Sequence, residues 1–211
     1  MALIPPAAAP RGIGEGGRPA VLLDKDGTLL EDLPYNVEPR LMRLTPGAGE
    51  ALQCLARLGM PLVVVSNQPG VALGRFQEAR LRAVRRRLEE LFERHGARLT
   101  DFLYCPHHPQ GTVARYACAC LCRKPRPGLL RIAAARHGLS LARSWMIGDI
   151  LDDIEAGRRA GCRTILVDRG GETEWVLGGR RDPDHLVERL DAAAEIVRRE
   201  SAGRPFAETR P

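Results

Sequence analysis

Asp24 and Asp26 stand two residues apart at the end of the apolar run Val21-Leu22-Leu23 and are followed at once by Gly27. In an extended strand, residues at i and i+2 point to the same side, so the two carboxylates are expected to converge on one spot while Lys25 faces away. Two anions in one small volume repel each other unless a cation sits between them, and hard oxygen ligands suit Mg²⁺. Gly27 lets the backbone turn sharply, which exposes the acids at the strand's C-terminal end, where open α/β sheets keep their sites. Taken alone, D-x-D-G is better read as an ordinary strand end and turn.

Three further segments bring the same kind of chemistry. Leu62-Val63-Val64-Val65 is a second β-branched run and ends in Ser66-Asn67-Gln68; Arg123-Lys124-Pro125 precedes a helical stretch; Trp145-Met146-Ile147 ends in Gly148-Asp149, with Asp152 and Asp153 close behind. In type and order these segments resemble the four motifs of the haloacid dehalogenase-like phosphohydrolase superfamily, over roughly residues 20–170. The resemblance implies a magnesium-dependent phosphomonoester hydrolase. Asp24 would be the nucleophile and Asp26 the general acid and base, with Ser66 and Lys124 on the phosphoryl group. Mg²⁺ would be held by Asp24, the backbone carbonyl of Asp26 and Asp149, with Asp153 in support. Asp152 fits the motif spacing less well than Asp153.

The elements that must position these residues alternate β-rich runs with amphipathic helical stretches. That pattern predicts an α/β fold, a three-layer Rossmann-like parallel sheet with helices on both faces. Strands are expected near 20–24, 62–66, 101–104, 145–148, 164–168 and 185–187, and helices near 47–58, 77–94, 128–137, 151–160 and 189–199. Leu81, Val84, Leu88, Leu91 and Phe92 recur on one face of the second helix, with Arg82, Arg85, Arg86 and Glu89 on a solvated one. About forty residues separate Asp26 from Ser66, and fewer than sixty separate Ser66 from Lys124. Neither interval has room for a separate cap, so a capless core with an open, loop-shaped site is expected.

A cysteine-rich loop, residues 105–122, adds a second signal: Cys105-Pro106-His107-His108, a polar connection, then Cys118-Ala119-Cys120-Leu121-Cys122 directly before Arg123 and Lys124. Thiolates and imidazole are ligands Zn²⁺ prefers, and four of them can staple a loop that has no core of its own. The expected set is Cys105, His107, Cys120 and Cys122, with Cys118 able to replace either of the last two. Disulfides are the competing reading and suit a secreted chain, of which the sequence gives no sign. A full set of protein ligands makes the zinc structural, with the task of holding Arg123 and Lys124 over a phosphate. Cys54 and Cys162 read as small core residues.

The capless core, this loop and Ser66-Asn67-Gln68-Pro69-Gly70 together resemble the heptose bisphosphate 7-phosphatases, which act on a precursor of lipopolysaccharide heptose. Histidinol-phosphate phosphatases share the loop, usually with a shorter connection between the ligand pairs. The resemblance implies a small phosphorylated sugar as substrate and places Asn67, Gln68 and Arg123 at the substrate. In Ile150 the chain departs from the lysine these enzymes often carry.

The chain of 211 residues suits one domain over residues 20–200, with loose tails at 1–19 and 201–211. No apolar run is long enough to span a bilayer, no signal peptide is legible, and a cytoplasmic monomer is expected. The formal charge of +6 keeps nucleic acid in view, either for a polynucleotide 3′-phosphatase or for a basic zinc-containing binding module. Scarce aromatics and the lack of a stacking platform or recognition helix argue against both.

Overall fold

The structure is a computed structural model that describes residues 17–202. Most of both expected tails lies outside those residues. Within the described residues, Arg18 bridges to Leu139 and Ala202 ends a helix.

Six strands form one parallel sheet: β1 (Val21–Leu23), β2 (Leu62–Asn67), β3 (Leu99–Cys105), β4 (Trp145–Gly148), β5 (Arg163–Val167) and β6 (His185–Val187). Their spatial order is β3-β2-β1-β4-β5-β6. The chain therefore leaves β1 in one direction, returns to its other side at β4, and opens a crevice at the carboxyl ends of the strands there. The five helices are α1 (Ala48–Ala56), α2 (Leu81–Arg94), α3 (Gly128–His137), α4 (Leu151–Ala160) and α5 (Leu190–Ala202). As expected, only α1 intervenes between β1 and β2, and only α2 and β3 between Ser66 and the cysteine-rich loop, apart from short 3-10 turns. Among the described residues there is no separate cap.

The strands read as unbroken apolar runs because both faces of the sheet are covered. Val21, Leu23 and Val64 face one core, shared with Leu52 of α1, Val84, Leu88 and Phe92 of α2, and Val197 of α5. Leu22, Val63 and Val65 face the other core, shared with Leu129 and Leu130 of α3 and Ala156 of α4. The apolar stripe foreseen on α2 is buried. The helix starts later than its pattern suggests, because Gln77 is extended and Glu78–Arg80 form a 3-10 turn first.

Not all of the arginine face of α2 is solvated. Arg85 donates to the buried carboxylate of Asp101 on β3 at 2.9 Å, and Arg136 at 2.8 Å and His137 at 2.9 Å reach the same group from α3. Asp101 thus ties both helical layers to an edge strand. Burial would raise its pKa, but the hydrogen bonds from His137, Arg136 and Arg85 win, and the pKa falls to about 2. A carboxylate held below its ordinary value stabilises the fold above that ordinary value and loses the contribution as pH drops toward the folded one. Asp101→Asn is therefore expected to cost about 1–3 kcal/mol at neutral pH. In urea unfolding, the gap between wild type and variant should close between about pH 4 and pH 2; a gap independent of pH would exclude this role.

Candidate active site

The sharp turn after β1 sets the first two acids. Asp24 continues the strand, its N–H donating to Ile147 of β4 at 2.9 Å. The pleat ends there. Gly27 takes φ +80° and the N–H of Leu30 returns to the carbonyl of Lys25 at 2.8 Å, so the turn, not strand alternation, aims Asp26. This corrects the expectation for Lys25: its side chain is buried and its ammonium folds back onto the Asp26 carboxylate. Gln68 donates to the other oxygen of Asp26 at 3.1 Å and to Ser66 Oγ at 2.8 Å. Burial, with the charge of Asp24 adding and Lys25 opposing, raises Asp26 above the usual carboxylate range.

Lys124 arrives from the loop before α3 and is buried, its ammonium in ion pairs with Asp24 and, at 2.6 Å, with Asp153; it also donates to the Val65 carbonyl at 3.0 Å. Burial alone would favour the neutral amine, but Asp153 and Asp24 more than reverse that and raise its pKa. Asp149 at the end of β4 accepts a hydrogen bond from Thr28 at 3.0 Å. Burial, with the charges of Asp24 and Asp153 adding, raises Asp149 to about 8; burial also raises Asp153 to about 7, against the pull of Lys124.

Oxygen atoms of Asp24, Asp149 and Asp153 all lie within 4.8 Å of one another, and all three residues are buried. One lysine balances only one of three carboxylates. The donor set therefore fits a hard divalent cation, whose charge would keep all of them ionised. Glycines make room for the acids: a Cβ on Gly27 would lie 2.0 Å from Asp149 Oδ2, and one on Gly148 would lie 2.2 Å from the Asp153 Cβ. The site opens into a cavity of about 420 Å³ lined on its far side by Asp32, Ile150 and Arg169.

The expected zinc ligands also come together. The sulfur atoms of Cys105, Cys120 and Cys122 are 3.2–3.4 Å apart, and His107 Nδ1 lies 3.6 Å from Cys105 and 3.5 Å from Cys122. A tetrahedral Zn²⁺ with Zn–S near 2.3 Å needs sulfur atoms about 3.8 Å apart, so a few tenths of an ångström of expansion would seat the ion. Hydrogen bonds from Cys105, Cys120 and His107 hold Cys122 down to about 5, while the bond to Cys122 and burial raise Cys105. Cys118 is exposed and outside the group of four. The three thiols make no disulfide.

Of the residues expected at the substrate, Asn67 lines the catalytic cavity, and the side-chain amides of Asn67 and Gln68 are hydrogen-bonded to protein groups beside it. Asn67 clamps the Lys124 backbone, accepting from its N–H at 3.0 Å and donating to its carbonyl at 3.1 Å. Arg123 has a buried Nη1 with no hydrogen-bond partner.

Three contributors were not singled out from sequence. Thr28 sits inside the first motif and could have been found there. Lys25 was hidden by the strand assumption. Glu172 lies far along the chain: its Oε2 accepts from Leu151 N at 2.6 Å, capping α4 where the N-cap residue, Ile150, has no side-chain oxygen to offer.

An acid pair after β1, a buried lysine and a metal-fitting carboxylate group at a sheet's switch point define the class, a HAD-like phosphatase, and residues 121–193 match the HAD-hydrolase-like family. The chain is 33% identical over 186 residues to the D-glycero-beta-D-manno-heptose-1,7-bisphosphate 7-phosphatase of Escherichia coli (strain K12), covering 84% of this chain and 97% of that relative. The enzyme of that name from Rhodopseudomonas palustris is 37% identical over 155 residues, covering 74% and 83%. Among solved structures, the D,D-heptose 1,7-bisphosphate phosphatase from B. bronchiseptica, complexed with magnesium and phosphate, superposes with a TM-score of 0.74 at 31% identity over 86% of this chain and 99% of that one. The chain belongs to the family of D-glycero-beta-D-manno-heptose-1,7-bisphosphate 7-phosphatases.

Gly27→Ala tests the close packing of the turn against Asp149. The new methyl would meet a carboxylate oxygen at 2.0 Å in a left-handed backbone. A stability loss beyond the about 1–2 kcal/mol of left-handed strain is expected in thermal unfolding, together with loss of phosphatase turnover. An active variant of normal stability would show that Asp149 sits elsewhere.

Proposed function

We propose that this protein removes the 7-phosphate of D-glycero-β-D-manno-heptose 1,7-bisphosphate, a step toward the activated heptose of lipopolysaccharide, as a cytoplasmic monomer. The observation that carries the reading is the buried ammonium of Lys124 between Asp24 and Asp153, beside Ser66 and Asp149, at the open end of the sheet. The anomer follows the names of the relatives.

Asp24 attacks phosphorus in line with the sugar oxygen, and the P–O bond to the sugar breaks as an aspartyl-phosphate forms. Asp26, whose burial raises its affinity for a proton, gives a proton to the departing sugar oxygen. As a carboxylate it then takes a proton from water, whose oxygen attacks phosphorus, releasing phosphate and restoring Asp24. Ser66 and the backbone of Asn67 donate to the phosphoryl oxygens, and Lys124 orients Asp24 while adding positive charge. Mg²⁺, for which Asp24, Asp149 and the Asp26 carbonyl are the ligands, would supply charge to the nonbridging oxygens. Asp153 fixes Lys124. Zn²⁺ on Cys105, His107, Cys120 and Cys122 would be structural, and Arg123 would face the sugar or its remaining phosphate.

A phosphate-release panel with Mg²⁺ should give the highest kcat/KM for the β bisphosphate, ahead of the α anomer, histidinol phosphate and a 3′-phosphorylated oligonucleotide. Faster hydrolysis of histidinol phosphate would overturn the substrate and leave the chemistry standing. Asp24→Asn should lower kcat by at least about 10⁴-fold without unfolding the chain; retained turnover would exclude the nucleophile. For the loop, elemental analysis should find one tightly held zinc, lost in Cys120→Ser along with thermal stability. Zinc retained in that variant would reject the ligand set.

A further inference from the structure

A second cavity, of about 480 Å³, lies between the cysteine-rich loop and the paired helices α3 and α4, and shares no lining residue with the catalytic one. Four guanidinium groups line it: Arg126 from the loop, Arg131 from α3, Arg159 from α4, and Arg180 from a 3-10 turn before β6. Leu121, largely exposed, and Pro127 supply an apolar wall. Gathering four cations around one hollow costs free energy unless anions offset them. The protein offers little offset. Glu155 pairs with Arg159, and Arg126 donates to the Cys120 carbonyl at 3.0 Å. Among the described residues, the side chains of Arg131 and Arg180 have no ion pair or hydrogen bond, so their donors are free for a ligand.

We propose that this cavity is a binding site for a polyphosphate group, distinct from the catalytic centre and independent of the substrate assignment. Guanidinium forks match phosphoryl oxygens two at a time, and guanidinium groups from separate elements can engage successive phosphates of one chain. The volume lies in the range of small-molecule pockets. The position also joins the ligand to the catalytic loop. Leu121 and Arg126 flank Arg123 and Lys124, the Gly128 N–H holds the Leu121 carbonyl at 3.0 Å, and a Cβ on Gly128 would press to 2.2 Å from that oxygen. The source of the polyphosphate is either inorganic or a nucleotide whose apolar part lies on Leu121 and Pro127.

The test is isothermal titration of zinc-loaded protein with inorganic tripolyphosphate and with ATP at moderate salt and no added Mg²⁺. Under those conditions the carboxylate-lined catalytic cavity repels polyanions. One saturable site is expected, weakened at least about tenfold in Arg131→Ala/Arg180→Ala. It should be unchanged in Arg82→Ala/Arg86→Ala, which removes the same net charge from the outer face of α2. Basal phosphatase activity of both double variants should match wild type. Equal affinity for the two probes supports the site with an inorganic source, and tighter ATP binding supports it with a nucleotide source. Absence of saturable binding, equal weakening in both double variants, or adenosine binding as well as ATP would each overturn the proposal.

Discussion

An ammonium with almost no access to water is tolerable only where carboxylates surround it, and the converse holds for the acids. Lys124 meets this condition between Asp24 and Asp153, three residues brought from the loop before α3, the end of β1 and the first turn of α4. Removing Lys124 would leave two buried carboxylates without their shared cation. Asp149 joins the group without an ion pair of its own, and its burial, with the charges of Asp24 and Asp153 adding, raises its hold on a proton above that of an ordinary carboxylate. The protein alone is thus left with excess negative charge at the open end of the sheet, and a divalent ion would reverse the sign there.

Much of the surrounding structure serves to deliver Lys124. Asn67 at the end of β2 grips its peptide groups on both sides, so a strand end holds a loop backbone in place. The four metal-fitting side chains fix Cys122, two residues upstream, and α3 begins three residues after Pro125. A flexible lysine side chain on a free loop would lose rotamer entropy in reaching a buried site. Anchoring the backbone at both ends lowers that cost beforehand, and an ion held by those four side chains would serve that anchoring from a distance.

The sheet and the acid cluster were legible in sequence because both depend on local patterns: apolar runs ending in Asp, Ser or Gly-Asp, and cysteines at close spacing. Strand and helix positions matched to within a few residues. What failed was local geometry at the point where a pattern stops. Alternation predicted Lys25 pointing away, but the pleat ends at Leu23, and a turn has no period of two. Asn67 and Gln68 are expected at the substrate, and chain order does not reveal that their amides also satisfy protein groups beside the acids. Glu172 was out of reach for the same reason, since nothing near it in sequence says that α4 lacks a cap. The network at Asp101 shows the same limit, with an ordinary arginine face concealing one residue that turns inward.

The formal charge of +6 averages over two opposite surfaces. Carboxylates line the catalytic cavity, while guanidinium groups line the hollow on the far side of the cysteine-rich loop. Because the local field decides which ligands approach, the mean charge is a poor guide to partners for this chain. The loop is the wall between the two fields. Its catalytic side presents Lys124, already neutralised by acids, and its other side presents Arg126 beside the unpaired Arg131. A structural metal group in that wall would keep the two sides from relaxing into each other, so that each cavity keeps its own sign of charge.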